Sequence, residues 1–183
     1  MTPKHKTKAS KFLSLVLRHD PSAAGIALDS HGWARIDALL KGLNDKGFPL
    51  TRDDLMDIVQ TDEKQRYAID EPGECIRANQ GHSIEVDLEL NPCEPPPVLY
   101  HGTPAKWADE IRRTGLKKMA RQHVHLSANI DTARIVGKRR GEEHIFQIDS
   151  ASMHRDGLIF YCSENGVWLT DEVPARYLRD LVD

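Results

Sequence analysis

The sequence predicts an α+β protein built as two lobes. Three observations lead there, the first two being that three amphipathic helical stretches followed by a pair of strand-like runs come first, and that short strand-like runs dominate the remainder. The third is a break between them, "NPCEPPP" at 91–97. Four prolines in seven residues suit neither a helix interior nor an internal strand, so this stretch is expected to be a stiff linker. The lobes are then expected at 1–90 and 98–183.

In the first lobe, "KASKFLSLVLRHDP" places Phe12, Leu13, Val16 and Leu17 on one helical face, and Pro21 ends the run. "GIALDSHGW" reads as an extended piece and a turn, followed by a helix through Ile36, Leu39 and Leu40. Thr51 and Asp54 form a capping arrangement for a third helix through Leu55 and Val59. "RYAID" and "CIRANQ" flank the turn "EPGE", a hairpin signature. Three helices and then a hairpin is the order of a winged helix-turn-helix, which often binds nucleic acid, although a fold alone does not establish a function.

In the second lobe, "VLYHGT" is a strand, and Thr103 with Pro104 is expected to start a helix. Trp107, Ala108 and Ile111 would line one face of that helix, and Gly115 would stop it. Strands are expected at "RQHVHLS", "HIFQID", "LIFYC" and "VWLT", with a helix from Ala128 to about Val136.

Composition excludes several classes. With 39% hydrophobic and 29% charged residues, the 183-residue chain is globular, not disordered. No apolar run has the length of a membrane span, and "MTPKHKTKAS" lacks the apolar core of a secretory signal. Cys75, Cys93 and Cys162 form no CxxC pair, which argues against a zinc ribbon or a disulfide framework and for a reducing compartment, the cytoplasm. A net charge of −3 argues against coating long nucleic acid through bulk electrostatics. Basic clusters at Lys4 to Lys11, Arg112 to Arg121 and Lys138 to Arg140 are solvated helix faces or a few phosphate contacts.

Four stretches carry candidate chemistry. "IRANQGHSI" crowds Arg77, Asn79, Gln80, His82 and Ser83 into a strand-like run, more donors than a solvated sheet face requires, and so raises the question of a bound anion. In "RQHVHLS", alternation directs Gln122, Val124 and Leu126 one way and Arg121, His123, His125 and Ser127 the other. That second face is a solvated edge, a zinc site with His101, or a polar-ligand site; the last fits best, because no carboxylate or thiolate stands at ligand spacing. In "YHGT", Gly102 would let backbone approach a ligand, and a helix start after Thr103 would favour an anion. "LRHDP" puts Arg18 and His19 at a helix C-terminus, where positive charge is favourable in any case.

Together, "SKFLSLVLRH", "LDSHGW", "IRANQGHS", "LYHGT", "RQHVHLS" and "NGVWLT", in this order, closely resemble the NAD-dependent RNA (tRNA) 2′-phosphotransferase family over about Lys11 to Leu178. The resemblance implies an N-terminal winged-helix RNA lobe and a C-terminal lobe of ADP-ribosyltransferase type that binds NAD. It implies removal of an internal RNA 2′-phosphate, as at tRNA splice junctions, through an RNA-2′-phospho-ADP-ribose intermediate, with NAD consumed as co-substrate. The products would be 2′-OH RNA, ADP-ribose 1″,2″-cyclic phosphate and nicotinamide. The family's Arg-His-Arg-Arg set falls on Arg18, His19, Arg77 and Arg121. Its three-strand NAD signature falls on His101, His125 and Val167, with Gly102, Thr103 and Ser127 nearby. Where many relatives have "RHG" this chain has "KRRG", so Arg140 stands in place of a histidine.

Val167 stands where protein-modifying ADP-ribosyltransferases commonly carry a glutamate. A phosphate monoester, with a second pKa of about 6, is already ionised and needs no general base. No metal, no membrane and a monomeric state are expected. The rival readings are an ADP-ribosyltransferase acting on protein or on a terminal phosphate, and a non-catalytic winged-helix RNA-binding protein.

Overall fold

The computed structural model describes residues 2–181, which divide into two compact units, the first ending at Glu89 and the second beginning at Leu90. Helix and strand are both present in quantity, and the chain is of α+β class.

The first unit opens with α1 (Pro3–Arg18), capped by the Thr2 hydroxyl. Ala9, Leu13, Val16 and Leu17 form its fully buried face, while Phe12 lies at the margin and stacks on Phe48 at 4.4 Å. A short β1 (Ala34–Arg35) leads into α2 (Ile36–Asp45), and α3 (Arg52–Gln60) follows. Thr51 and Asp54 form the anticipated reciprocal capping box. The hairpin is β2 (Tyr67–Ile69) and β3 (Cys75–Ala78), with Tyr67 opposite Ala78. β1 joins it as a third strand, in the order β1-β3-β2. Side chains of all three helices and β3 fill one core, including Leu13, Leu17, Ile36, Leu39, Leu43, Leu55 and Ile76.

In the second unit, β4 (Leu99–Pro104), β7 (Glu143–Ile148) and β11 (Leu178–Asp180) form one antiparallel sheet in the order β11-β7-β4. A second antiparallel sheet has the order β6-β9-β8, from β6 (Val124–Leu126), β8 (Phe160–Cys162) and β9 (Trp168–Thr170). β5 (Leu116–Lys117) pairs with β10 (Glu172–Val173). The helices are α4 (Ala108–Thr114), α5 (Ile130–Gly137) and α6 (Ser150–Arg155). Leu99, Leu126, Ile148, Met153, Phe160 and Val173 make the core.

Three local expectations are corrected. No helix starts at Thr103: pairing with His144 and Glu143 of β7 keeps the chain extended through Pro104, and a 3-10 turn, Ala105–Trp107, precedes α4. Trp107 lies in that turn rather than on a buried helix face, and is exposed beside Lys106. The strand in "RQHVHLS" shortens to three residues, so Gln122 lies outside it and is only partly buried.

The proline-rich stretch belongs to the second unit. Cys93 N–H donates to Phe160 O at 2.9 Å, and Pro96 and Pro97 carbonyls accept from the Ser150 hydroxyl and Ala151 N–H. No described helix is long and apolar enough to cross a membrane.

Candidate functional site

In the first unit, the end of α1 and the segment after β3 assemble a cationic cluster. β3 alternation buries Ile76 and Ala78 completely, which turns Arg77 to the opposite face. There its guanidinium lies 4.6 Å from the centroid of Trp33, a cation–π contact. Trp33 is placed by a turn built on Asp29, whose carboxylate accepts from the N–H groups of His31 and Trp33 at 2.9 Å.

Arg18 and His19 meet the same segment. Arg18 Nη2 donates to Gln80 Oε1 at 3.0 Å, and the Arg18 carbonyl accepts from Ser83 N–H at 2.9 Å. The Ser83 hydroxyl lies 2.8 Å from His19 Nδ1 and orients that exposed ring. Gly81 lies against the Arg18 guanidinium, and its φ of +91° is a backbone conformation that favours glycine.

The strand-like reading of "IRANQGHSI" therefore ends at Ala78, and its polar groups divide. Asn79 turns inward, where Nδ2 donates to Gln65 O at 2.7 Å. His82 is 1% exposed, and neither ring nitrogen has a hydrogen-bond partner. Burial first, then the charges of Arg18, His19 and Arg77, push its pKa down to about 4, so the ring is neutral at pH 7.

In the second unit, His101, His125 and Arg121 come together. Reciprocal backbone hydrogen bonds between Tyr100 and Ser127, at 2.8 and 2.9 Å, fasten β4 to the end of β6. His101 Nδ1 lies 3.0 Å from the carbonyl oxygen of His125. A carbonyl only accepts, so Nδ1 carries the proton. Burial outweighs that hydrogen bond and lowers the His101 pKa, with Arg121 adding to the effect, so the ring is neutral and Nε2 is an acceptor. Arg121 Nη1 donates to His125 Nδ1 at 3.2 Å. A guanidinium only donates, so His125 carries its proton on Nε2. One histidine thus presents an acceptor and its neighbour a donor.

The remaining predicted residues have defined places. Gly102 is required by packing: a Cβ there would fall 1.7 Å from Ala133 O of α5. Thr103 is buried within β4. The Ser127 hydroxyl donates to Asn129 O and accepts from Asn129 N–H, in the turn that starts α5. Val167 lies one residue before β9 rather than within a strand, held by Ser163 through both of its backbone groups. His123 does not join His101 and His125; it packs edge-on against Tyr161 at 5.6 Å. Among the described residues no three of His, Cys, Asp and Glu form a metal-holding group.

Trp33 is a residue of the first cluster to which the sequence attached no role. Its signal was present in "LDSHGW", but only the paired strands bring it to Arg77.

These features define an α+β protein whose two units each gather arginine and histidine side chains suited to anionic, hydroxyl-rich ligands. A family model for RNA 2'-phosphotransferase, Tpt1 / KptA family, matches residues 4–172. A "Probable RNA 2'-phosphotransferase" of Nostoc punctiforme is 51% identical over 181 residues, covering 99% of this chain and 100% of the relative. Relatives bearing that same description include one from Trichormus variabilis, 50% identical with 98% of each chain covered. Another, from Flavobacterium johnsoniae, is 51% identical with 93% of each covered. The chain belongs to the RNA 2′-phosphotransferase family.

Proposed function

We propose that the chain removes an internal 2′-phosphate from RNA and consumes NAD in doing so, with RNA-2′-phospho-ADP-ribose as the intermediate. The carrying observation is the cluster of Arg18, His19 and Arg77, drawn together by Gln80, Ser83 and Trp33 in a protein of this family. In this reading the first unit acts as a winged-helix RNA lobe, and the second, with the proline-rich stretch packed into it, acts as an ADP-ribosyltransferase-type NAD lobe. The protein works as a cytoplasmic monomer without a metal.

The roles follow from charge and proton placement. Arg18 and Arg77 offer permanently charged forks to the 2′-phosphate, and Arg121 gives the second unit a fork of its own for an anionic ligand. In the first step a phosphate oxygen bonds to the anomeric carbon of the nicotinamide ribose as the bond to nicotinamide breaks. The phosphate is its own nucleophile, and Val167 leaves that approach free of a repelling carboxylate. In the second step the ribose 2″-hydroxyl oxygen bonds to phosphorus and gives up its proton to solvent, while the bond from phosphorus to the RNA 2′-oxygen breaks and that oxygen takes up a proton. His19 supplies that proton through Nε2, with Nδ1 steadied by Ser83.

For NAD, the acceptor Nε2 of His101 and the donor Nε2–H of His125 suit ribose hydroxyls, each of which both donates and accepts. Gly102, Thr103, Ser127 and Val167 serve through backbone and shape, since the Ser127 hydroxyl is engaged by Asn129 and Gly102 is hemmed by α5.

The test is nicotinamide release from NAD with three RNAs: internal 2′-phosphate, terminal 5′-phosphate and no phosphate. Release confined to the first, with a 2′-hydroxyl product, is expected. Equal release with all three would overturn the reading.

A further inference from the structure

We infer that His82 is a positioning residue for the phosphate cluster, whose buried ring sets the placement of Arg18 and Arg77 around an anion. The inference rests on the proposed assignment of that cluster to the RNA 2′-phosphate.

His82 is 1% exposed, and its Nε2 would stand 3.4 Å from a Cβ built on Gly32. Gly32, at φ +82°, belongs to the Asp29 turn that presents Trp33, and Trp33 carries Arg77 on its face. The residue before His82, Gly81, lies against the Arg18 guanidinium. The ring therefore adjoins both supports: the turn behind Arg77 and the close approach to Arg18.

Both ring nitrogens are buried without a hydrogen-bond partner. An apolar side chain would fill the space without leaving polar atoms unsatisfied, so packing alone does not account for an imidazole here. The charged groups acting on the ring are Arg18 and His19 at the end of α1 and Arg77 of β3. The turn meets it through Gly32, beside Val86, and neither residue is charged. A protonated ring would repel both arginines, whereas a neutral one fills the space and leaves their charge for the ligand. Burial is the larger cause of the ring's neutrality; an anion taken up by the arginines offsets the smaller part that their charges add, so ligand and ring are coupled.

The test uses the full chain without NAD, so that binding is read apart from turnover. Affinities are measured for an oligonucleotide with one internal 2′-phosphate and for its unphosphorylated twin, with wild type, His82→Leu and His82→Gln. His82→Leu should reduce the preference for the phosphorylated strand by about 10–100-fold and leave the unphosphorylated affinity unchanged. His82→Gln, which keeps a polar group of similar reach, should recover part of it. Independently of any variant, nitrogen-resolved NMR of the wild-type His82 ring should show its pKa rise when inorganic phosphate is added. A His82→Leu protein with undiminished preference, or a ring unmoved by phosphate, would overturn the inference. A wild type without preference would instead overturn the phosphate assignment beneath it, and this inference with it.

Discussion

His101 Nδ1 and the carbonyl oxygen of His125 lie 3.0 Å apart, and this one hydrogen bond decides that His101 is a donor inward and an acceptor outward. His101→Asn keeps a side-chain N–H for the carbonyl but loses the acceptor at Nε2. The expected result is a KM for NAD raised about tenfold, with affinity for 2′-phosphorylated RNA unchanged. Steady-state kinetics with each substrate varied in turn checks it.

Gly102→Ala forces a Cβ to within 1.7 Å of the Ala133 carbonyl oxygen. Backbone cannot yield as a flexible side chain can, so β4 and α5 must separate. Destabilisation of about 3 kcal/mol is expected, at the upper end of overpacking costs, and denaturant unfolding measures it. A neutral result would show that α5 does not pack on β4 as described.

His19→Ala removes the proposed step-two acid, a contribution of about 10²–10⁴-fold. RNA-2′-phospho-ADP-ribose should then accumulate as a slower gel band in time courses with labelled RNA. Ser83→Ala should give a milder version, because the ring remains but loses its 2.8 Å anchor. Loss of activity with no such band at any time would remove His19 from that role.

Val167→Glu places a carboxylate where a phosphate is proposed to approach. Nicotinamide release with 2′-phosphorylated RNA should slow, and the slowing should weaken as salt rises. Faster release would show that the absent carboxylate has another cause.

Stability should fall with acid in a particular window. The folded-state pKa of His82, about 4, lies below the ordinary 6.5, so between those values the unfolded chain binds the extra proton. The penalty is absent above pH 6.5, grows as pH falls, and levels off below about pH 4 near 3 kcal/mol. His82→Leu should flatten this part of the profile, read from denaturant midpoints across the range.

Much of this protein was legible in order. Helical periodicity placed α1, α2 and α3, and Thr51 with Asp54 marked the cap found at α3. Six short motifs carried the family. Local rules failed where a distant partner outweighed them. Thr103 and Pro104 have helix-start chemistry, yet pairing with β7 keeps them extended. Two residues, Ala34 and Arg35, are too few for a strand signature, and Ile76 and Cys75 make them one.

The candidate site divides in the same way. The sequence by itself determined which side chains were available, Arg18, His19, Arg77, Arg121, His101 and His125 among them, since charge and proton chemistry belong to residue type. Only the tertiary structure decided their states: the tautomers of His101 and His125, the stacking of Arg77 on Trp33, the neutrality of His82 and the reason for Gly102. The His125 tautomer is set by Arg121, only four residues away, whereas the others depend on burial or on a partner remote in sequence. Desolvation and close contact act through distance in space, which residue spacing along the chain does not encode.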